Sequence, residues 1–188
     1  MTHLLFIAGS TRTQSLNKQL ALYAMKLAND AGVKTSFVDL KALALPLYDG
    51  DLEDQHGLPE NAKMMKQLFV KADGFFIASP EYNGSFSAVL KNAIDWISRS
   101  EPDEAPLVAF KGKIGAISAV SPGALGGIRG LVPLRLLLSN IGVRVEPAQA
   151  AINHGGDAFD DAGCLKNPAQ DKMLKALMND LITHCAAS

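Results

Sequence analysis

Short apolar runs alternate with longer amphipathic segments along the chain, and this alternation restricts the possible folds more than any single motif does. Residues 4–8, 74–78 and 114–120 are almost free of polar side chains, which is typical of strands covered on both faces. Further strands are predicted at 35–40 and within 143–151. The predicted helices lie between the strands and after the last one, at residues 16–31, 59–71, 87–98, 125–140 and 168–185. Five strands separated by helices predict an α/β fold with helices on both faces of a parallel sheet.

The length and composition predict one folded domain that spans residues 1–188. Hydrophobic residues make up 48% and charged residues 20% of the sequence, and the net charge is −1. This balance provides no basic field for nucleic acid, so we expect no nucleic-acid partner. No apolar run approaches the roughly 20 residues that a membrane span needs, so we expect no membrane association. Cys164 and Cys185 form no C-x-x-C pair, which favours two reduced thiols in a cytoplasmic protein and no metal site.

The loop after the first strand, residues 9–17, predicts a phosphate site. This loop 1 reads Gly-Ser-Thr-Arg-Thr-Gln-Ser-Leu-Asn and joins the end of a strand to the start of a helix. Free N–H groups and the positive end of the helix dipole attract an anion there, and four hydroxyl groups and Arg12 add further donors. The loop contains neither a P-loop nor a G-x-G-x-x-G sequence. The alternative is that Ser15 and Asn17 only cap the helix.

The sequence of the loop after the third strand, residues 79–85, predicts a rigid turn whose backbone groups can contact the edge of a planar ring. In this loop 2, Pro80 fixes one backbone angle, and Asn83-Gly84 is a turn signal that tolerates left-handed conformations. Tyr82 adds an aromatic face for stacking. Glu81 needs a partner for its carboxylate, and a salt bridge or a subunit contact is favoured over a catalytic role.

The loop after the fourth strand begins at Ser118 and continues through Pro122 to residue 127. Three glycines lie within five residues of this loop 3, at Gly123, Gly126 and Gly127. Glycines permit a close approach between the backbone and a ligand. The alternative is a flexible surface loop. Ligands of doubly wound sheets bind at the carboxyl ends of the strands, so the three loops are expected to form one site.

These motifs together resemble the NADPH-dependent FMN reductase family of the flavodoxin-like superfamily, a group that includes chromate, quinone and azo-dye reductases. The resemblance covers about residues 3–145. Two departures occur where the helix after loop 2 begins: Ser87 stands where the family usually has proline, and Ala88 where it often has glycine. The motifs that carry the resemblance are Gly9-Ser10-x-Arg12-x-x-Ser15-x-Asn17, Pro80-Glu81-Tyr82-Asn83-Gly84-Ser85, Leu90-Lys91-Asn92-Ala93-Ile94-Asp95-Trp96, Gly126-Gly127-x-Arg129 and Leu134-Arg135.

The resemblance implies a flavodoxin-like three-layer sandwich that binds FMN and uses NADPH or NADH as co-substrate. A quinone, an azo compound, an oxidised metal oxyanion such as chromate, or free flavin would accept the electrons in a ping-pong hydride transfer. It implies no catalytic side chain in the strict sense, and a homodimer or homotetramer in which the helix of Lys91 and Trp96 is a candidate contact. The implied FMN-binding residues are Ser10, Arg12, Ser15 and Asn17 for the phosphate, Leu16 in the same loop, Pro80, Glu81, Tyr82, Asn83 and Gly84 for the ring, and Ser118, Pro122 and Gly123 to close the site.

Two other functions remain open at this stage. A flavodoxin-type electron carrier would bind FMN without accepting NADPH, although such carriers are usually strongly acidic. A non-enzymatic nucleotide-binding regulatory domain can use the same fold, since the fold does not determine the function. The segment from His154 to Asp157 either lines the entrance of the site or is only a loop.

Overall fold

The candidate loops lie at the carboxyl edge of a parallel sheet of six strands. The computed structural model describes residues 1–187. The strands are β1 (His3–Ala8), β2 (Lys34–Asp39), β3 (Gly74–Ala78), β4 (Ile114–Val120), β5 (Arg144–Val145) and β6 (Ala150–Ile152). Their order, β2-β1-β3-β4-β5 with β6 also paired to β4, is the doubly wound 2-1-3-4-5 order.

Helices cover both faces of the sheet, which confirms the predicted three-layer α/β sandwich. The helices are α1 (Leu16–Asp30), α2 (Leu40–Leu43), α3 (Gly50–His56), α4 (Glu60–Lys71), α5 (Ala88–Ile97), α6 (Ile128–Asn140) and α7 (Pro168–Ala186). Successive side chains of a strand point to opposite faces. Accordingly, Leu4 and Phe6 of β1 pack with α1 and α7, whereas Leu5 and Ile7 pack with α4, α5 and α6.

The predicted fifth strand is interrupted, so the prediction of one strand within 143–151 was wrong in this detail. Val145 pairs with Gly115, and Ala150 pairs with Ser118. The chain therefore advances by five residues from β5 to β6 while β4 advances by three. The extra residues bulge out of the ladder around Pro147, which has no N–H to donate to a neighbouring strand. The interruption leaves β6 at the carboxyl end of β4, beside loop 3.

Two long connections have structure of their own. The polar stretch between β2 and α4 contains the short helices α2 and α3, which are capped by Asp39 and Asp49. The charged connection over residues 99–111 would be expected to be exposed, but Ala109 and Phe110 are fully buried. A buried lysine of α4, Lys66, holds this connection through Glu104 and the carbonyl of residue 99.

Main-chain hydrogen bonds continue past the strand ends and bring the candidate loops together. The N–H of Gly9 donates to the Ala78 carbonyl at 2.8 Å, and the N–H of Ser79 donates to the Ser118 carbonyl at 2.8 Å. The first residues of loops 1 and 2 therefore extend the sheet. Within the described part of the chain, no helix is both long and apolar enough to cross a membrane.

Candidate functional site

A cleft of about 340 Å³ lies at the carboxyl edge of the sheet, and all three loops line it. Such an edge, where neighbouring connections leave to opposite faces, is the usual ligand site of a doubly wound sheet. The lining residues come from loop 1 (Ser10, Arg12, Gln14, Ser15, Leu16, Asn17), from loop 2 (Pro80, Glu81, Tyr82) and from the end of β4 with loop 3 (Val120, Ser121, Pro122).

Loop 1 presents unpaired donors to the cleft. Ser15 is the N-cap of α1, and its Oγ accepts the Lys18 N–H at 3.3 Å. The N–H groups of the next residues, Leu16 and Asn17, have no acceptor inside the helix. The guanidinium of Arg12 is exposed and forms no hydrogen bond or ion pair with any residue from 1 to 187. A helix N-terminus beside a free arginine favours an anionic ligand.

The side chain of Asn17 is already engaged. Its amide donates to the Val120 carbonyl at 3.0 Å, and its oxygen accepts the Val120 N–H at 3.1 Å, in a buried position. Asn17 thus joins the first turn of α1 to the end of β4. The resemblance implied a phosphate contact for this residue, and in the structure its main-chain N–H and the second side-chain N–H are available for one.

Replacing Asn17 with alanine is expected to destabilise the apo-protein by about 2 kcal/mol, because two buried main-chain groups of Val120 lose their partners. Chemical denaturation of the flavin-free protein measures this loss. Ser15→Ala, which removes one part-buried cap bond at the same turn, is the matched control and is expected to cost about 1 kcal/mol. An Asn17 variant as stable as the wild type would show that this bidentate contact contributes nothing to folding.

Loop 2 is a tight hairpin that carries Tyr82 above the cleft. The N–H groups of Tyr82 and Ser85 donate to each other's carbonyls at 2.8 and 3.0 Å. Asn83 and Gly84 between them have φ values of 53° and 78°, as a two-residue turn with positive φ at both positions requires. Pro80 is buried, whereas Tyr82 is 51% exposed. The turn predicted from Asn-Gly is therefore confirmed.

Glu81 forms the salt bridge that the sequence analysis favoured over catalysis. Its carboxylate lies 2.6 Å from Arg129 Nη2 and also accepts the N–H groups of Arg129 and Gly130 at the start of α6. A carboxylate at a helix N-terminus is stabilised by the same free N–H groups and dipole that bind anionic ligands. Glu81 thus fastens loop 2 to the start of α6, directly after loop 3, and it also lines the cleft.

Two of the three glycines of loop 3, Gly126 and Gly127, pack closely against β6 and β4. A Cβ on Gly126 would lie 2.8–2.9 Å from main-chain atoms of Ala151 and Ile152, and one on Gly127 would lie 2.8 Å from the Ala119 side chain. Both glycines have positive φ. These contacts argue against the alternative that loop 3 is a flexible surface loop. Helix α6 begins at Ile128 and not at the predicted residue 125.

Some predicted site residues lie outside the lining of the cleft. Ser118 is fully buried, and its hydroxyl donates to the Ala150 carbonyl at 2.6 Å. Asn83 and Gly84 form the tip of the hairpin, and the Gly123 carbonyl accepts the His154 N–H at 3.3 Å. The residues missed from the sequence are Gln14, Val120 and Ser121, each of which lies in or beside a predicted loop but lacked a motif of its own.

Several other polar residues have structural explanations. Trp96 is fully buried and donates its ring N–H to the Pro46 carbonyl at 2.8 Å, as expected for a core residue. Cys164 and Cys185 are free thiols, and burial raises the pKa of Cys185 to about 12, which makes this thiol unreactive. In residues 1–187 no group of three or more His, Cys, Asp or Glu side chains is arranged to hold a metal ion.

Comparisons with known proteins agree with this geometry. A family model described as NADPH-dependent FMN reductase matches residues 2–157. A 2-hydroxy-1,4-benzoquinone reductase from Burkholderia sp. is 34% identical over 92% of this chain and 90% of its own length. An NAD(P)H-dependent FMN reductase of Pseudomonas aeruginosa is 32% identical over 93% of this chain and 90% of its own. The solved structure of FerB, a flavoenzyme NAD(P)H:(acceptor) oxidoreductase from Paracoccus denitrificans, is 26% identical and superposes with a TM-score of 0.85, over 100% of this chain and 98% of that one.

The chain therefore belongs to the NADPH-dependent FMN reductase family. It is an oxidoreductase that works with FMN and NAD(P)H. The cleft fits such a cofactor, because the N-terminus of α1 and Arg12 offer one anion site on loop 1. One phosphate needs one such site, whereas the pyrophosphate of a dinucleotide flavin needs more donors. The hairpin of loop 2 lies beside it, where a planar ring can be held.

Proposed function

We propose that this protein binds FMN in the three-loop cleft and uses NAD(P)H to reduce a quinone. The observation that carries the proposal is the meeting of an unpaired Arg12, a free helix N-terminus and an exposed aromatic hairpin in one cleft. The quinone is favoured as acceptor because one of the named relatives is a 2-hydroxy-1,4-benzoquinone reductase. Azo compounds, chromate and free flavin remain further candidate acceptors of the same electrons.

Each loop has a separate task in this proposal. The phosphate is bound by the N-terminus of α1, by Arg12 and by the hydroxyls of Ser10 and Ser15. Pro80 and Tyr82 hold the ring from loop 2, and Pro122 closes the cleft from loop 3. The bound flavin supplies the redox chemistry, since it stores the electron pair delivered by NAD(P)H as hydride until the acceptor collects it.

A main-chain donor in loop 2 fits the negative charge that develops on a reduced flavin. The N–H of Glu81 faces no acceptor anywhere in residues 1–187, and Glu81 lines the cleft. A fixed N–H aimed at developing charge stabilises it without reorganisation. We assign this N–H to the electron-rich edge of the ring. The Glu81 carboxylate cannot act as a base there while Arg129 and the start of α6 hold it.

Anaerobic mixing separates this function from its alternatives. The purified protein is expected to be yellow, to bleach on addition of NADPH or NADH, and to regain its colour when a quinone is added without oxygen. A protein that binds FMN and does not bleach would be an electron carrier. A protein that takes up no FMN after reconstitution would be a regulatory domain, and this result would contradict the proposal.

Replacing Tyr82 with alanine is expected to change turnover or the flavin spectrum more than the fold. Half of the side chain is exposed and its hairpin is closed by main-chain bonds, so little folding energy depends on the ring. Tyr82→Phe keeps the aromatic face and is expected to behave like the wild type. If thermal stability collapses in the alanine variant while its holoenzyme spectrum stays unchanged, Tyr82 is a structural residue.

A homo-oligomer and a cytoplasmic location belong to the same proposal. On the helix predicted to contact a partner, Trp96 is fully buried, and the partly exposed Lys91 pairs with Asp95. A larger apolar surface lies on α6, which exposes Ile128, Val132 and Leu136 along one side, and we assign the subunit contact to this stripe. Light scattering that shows a monomer would contradict this subunit contact.

The two free thiols support the cytoplasmic location.

A further inference from the structure

Ser87 links loop 1 to the helix that follows loop 2. Its hydroxyl donates to the Gly9 carbonyl at 2.6 Å and accepts the Leu90 N–H at 3.3 Å, and the residue is 2% exposed. A hydroxyl has one proton and two lone pairs, so one serine can cap α5 and hold a distant carbonyl together. This is the position at which the chain departs from the family's usual proline, which has no side-chain donor.

The bond to Gly9 fixes the orientation of the next peptide group. No peptide bond in residues 1–187 is cis, and in a planar trans peptide the C=O and N–H point in opposite directions. The carbonyl of Gly9 faces Ser87, so the N–H of Ser10 points away from α5. The N–H of Gly9 is also fixed, because it donates to Ala78 at 2.8 Å.

The N–H of Ser10 is a buried donor that lacks a partner. Ser10 is 4% exposed and lines the cleft. Its N–H meets no acceptor among the residues that the structure describes, although its own hydroxyl accepts the Arg12 N–H at 3.3 Å. A buried N–H without an acceptor is unfavourable unless a ligand provides one.

We propose that Ser87 is a positioning residue that holds the Gly9–Ser10 peptide with its N–H directed at a phosphate monoester in the cleft. This inference rests on the proposed FMN site. If the peptide turned over, the Gly9 carbonyl would face the phosphate and repel it. The Ser87 bond prevents this rotation before the ligand arrives, so that less ordering is required on binding.

Riboflavin provides the test, because it has the ring of FMN without the phosphate. Flavin-free protein is titrated with FMN and with riboflavin, and the ratio of the two dissociation constants measures the contribution of the phosphate. In Ser87→Ala the dissociation constant of FMN is expected to rise about tenfold, as for a lost hydrogen bond to a charged group. That of riboflavin is expected to stay within about twofold. Ser87→Thr, which keeps the hydroxyl, is expected to restore the ratio.

The controls separate positioning from simple helix capping. Asn167→Ala removes the N-cap of α7, which accepts the N–H groups of Ala169 and Gln170, and should lower thermal stability without changing the ratio. An unchanged ratio in Ser87→Ala, or equal weakening of both flavins, overturns the inference. A wild-type protein that does not prefer FMN to riboflavin overturns the phosphate site itself. If the alanine variant does not fold, Ser87→Cys is titrated in its place, because a thiol is a weaker donor.

Discussion

Replacing Arg12 with alanine is expected to weaken FMN binding about ten- to 150-fold, with no comparable effect on riboflavin. A hydrogen bond to a charged group contributes about 1.5–3 kcal/mol. The exposed position of Arg12 argues for the lower end of this range, because water screens the interaction. Its guanidinium has no other partner within residues 1–187, so removing it should leave the stability of the apo-protein nearly unchanged. Fluorescence titration of the flavin-free protein measures both dissociation constants.

Arg12→Lys serves as the matched control for this experiment. The lysine keeps the positive charge and loses the planar pair of donors that suits a phosphate. It is therefore expected to lie between the wild type and the alanine variant. Increasing salt should reduce the difference between wild type and Arg12→Ala, since the lost contact is electrostatic. Equal dissociation constants of FMN in the wild type and in Arg12→Ala would contradict the assignment of the phosphate to loop 1.

Replacing Gly126 with alanine is expected to cost about 2–5 kcal/mol of folding free energy. The backbone has a φ of 62°, and the new Cβ would lie 2.8–2.9 Å from main-chain atoms of β6. Left-handed backbone costs a residue with a Cβ about 1–2 kcal/mol, and overpacking against a rigid neighbour costs about 1–3 kcal/mol. The strain is relieved only if loop 3 moves away from β6, so FMN binding should weaken as well.

Gly163 offers a control in which only the backbone conformation is tested. Its φ is 77°, and a Cβ there would meet nothing within 4 Å. Gly163→Ala is therefore expected to lose about 1–2 kcal/mol and to bind FMN normally. Urea denaturation of both variants without flavin gives the difference that is due to the contact with β6. Equal losses in the two variants would contradict the close packing of loop 3.

The sequence predicted the sheet well because its central strands β1, β3 and β4 are buried on both faces. The apolar runs that form β1, β3 and β4 are too short for typical helices, so they are predicted as strands. The Asn83-Gly84 pair favours the observed two-residue hairpin, because both residues tolerate positive φ. A salt bridge at Glu81 could also be predicted, since a carboxylate at such a position needs a cationic partner. The strands and the hairpin depend on residues that are adjacent in the chain.

Features that depend on distant residues could not be read from the sequence. Asn17 resembles a ligand or a cap, and only the fold shows that it holds Val120, 103 residues away. The interruption between β5 and β6 depends on the register with β4. Ser87 could be recognised as a departure from the family, but its bond to Gly9 needs the packing of α5 against loop 1.

A crystal structure of the protein with FMN tests the central claim most directly. We predict one FMN in each chain, with its phosphate oxygens within hydrogen-bond distance of Arg12 and of the first N–H groups of α1. The ring should lie between Tyr82 and Pro122. A flavin whose phosphate lies away from loop 1, for example in the groove of about 370 Å³ between Arg144 and Pro147 at the opposite end of β4, would contradict the account.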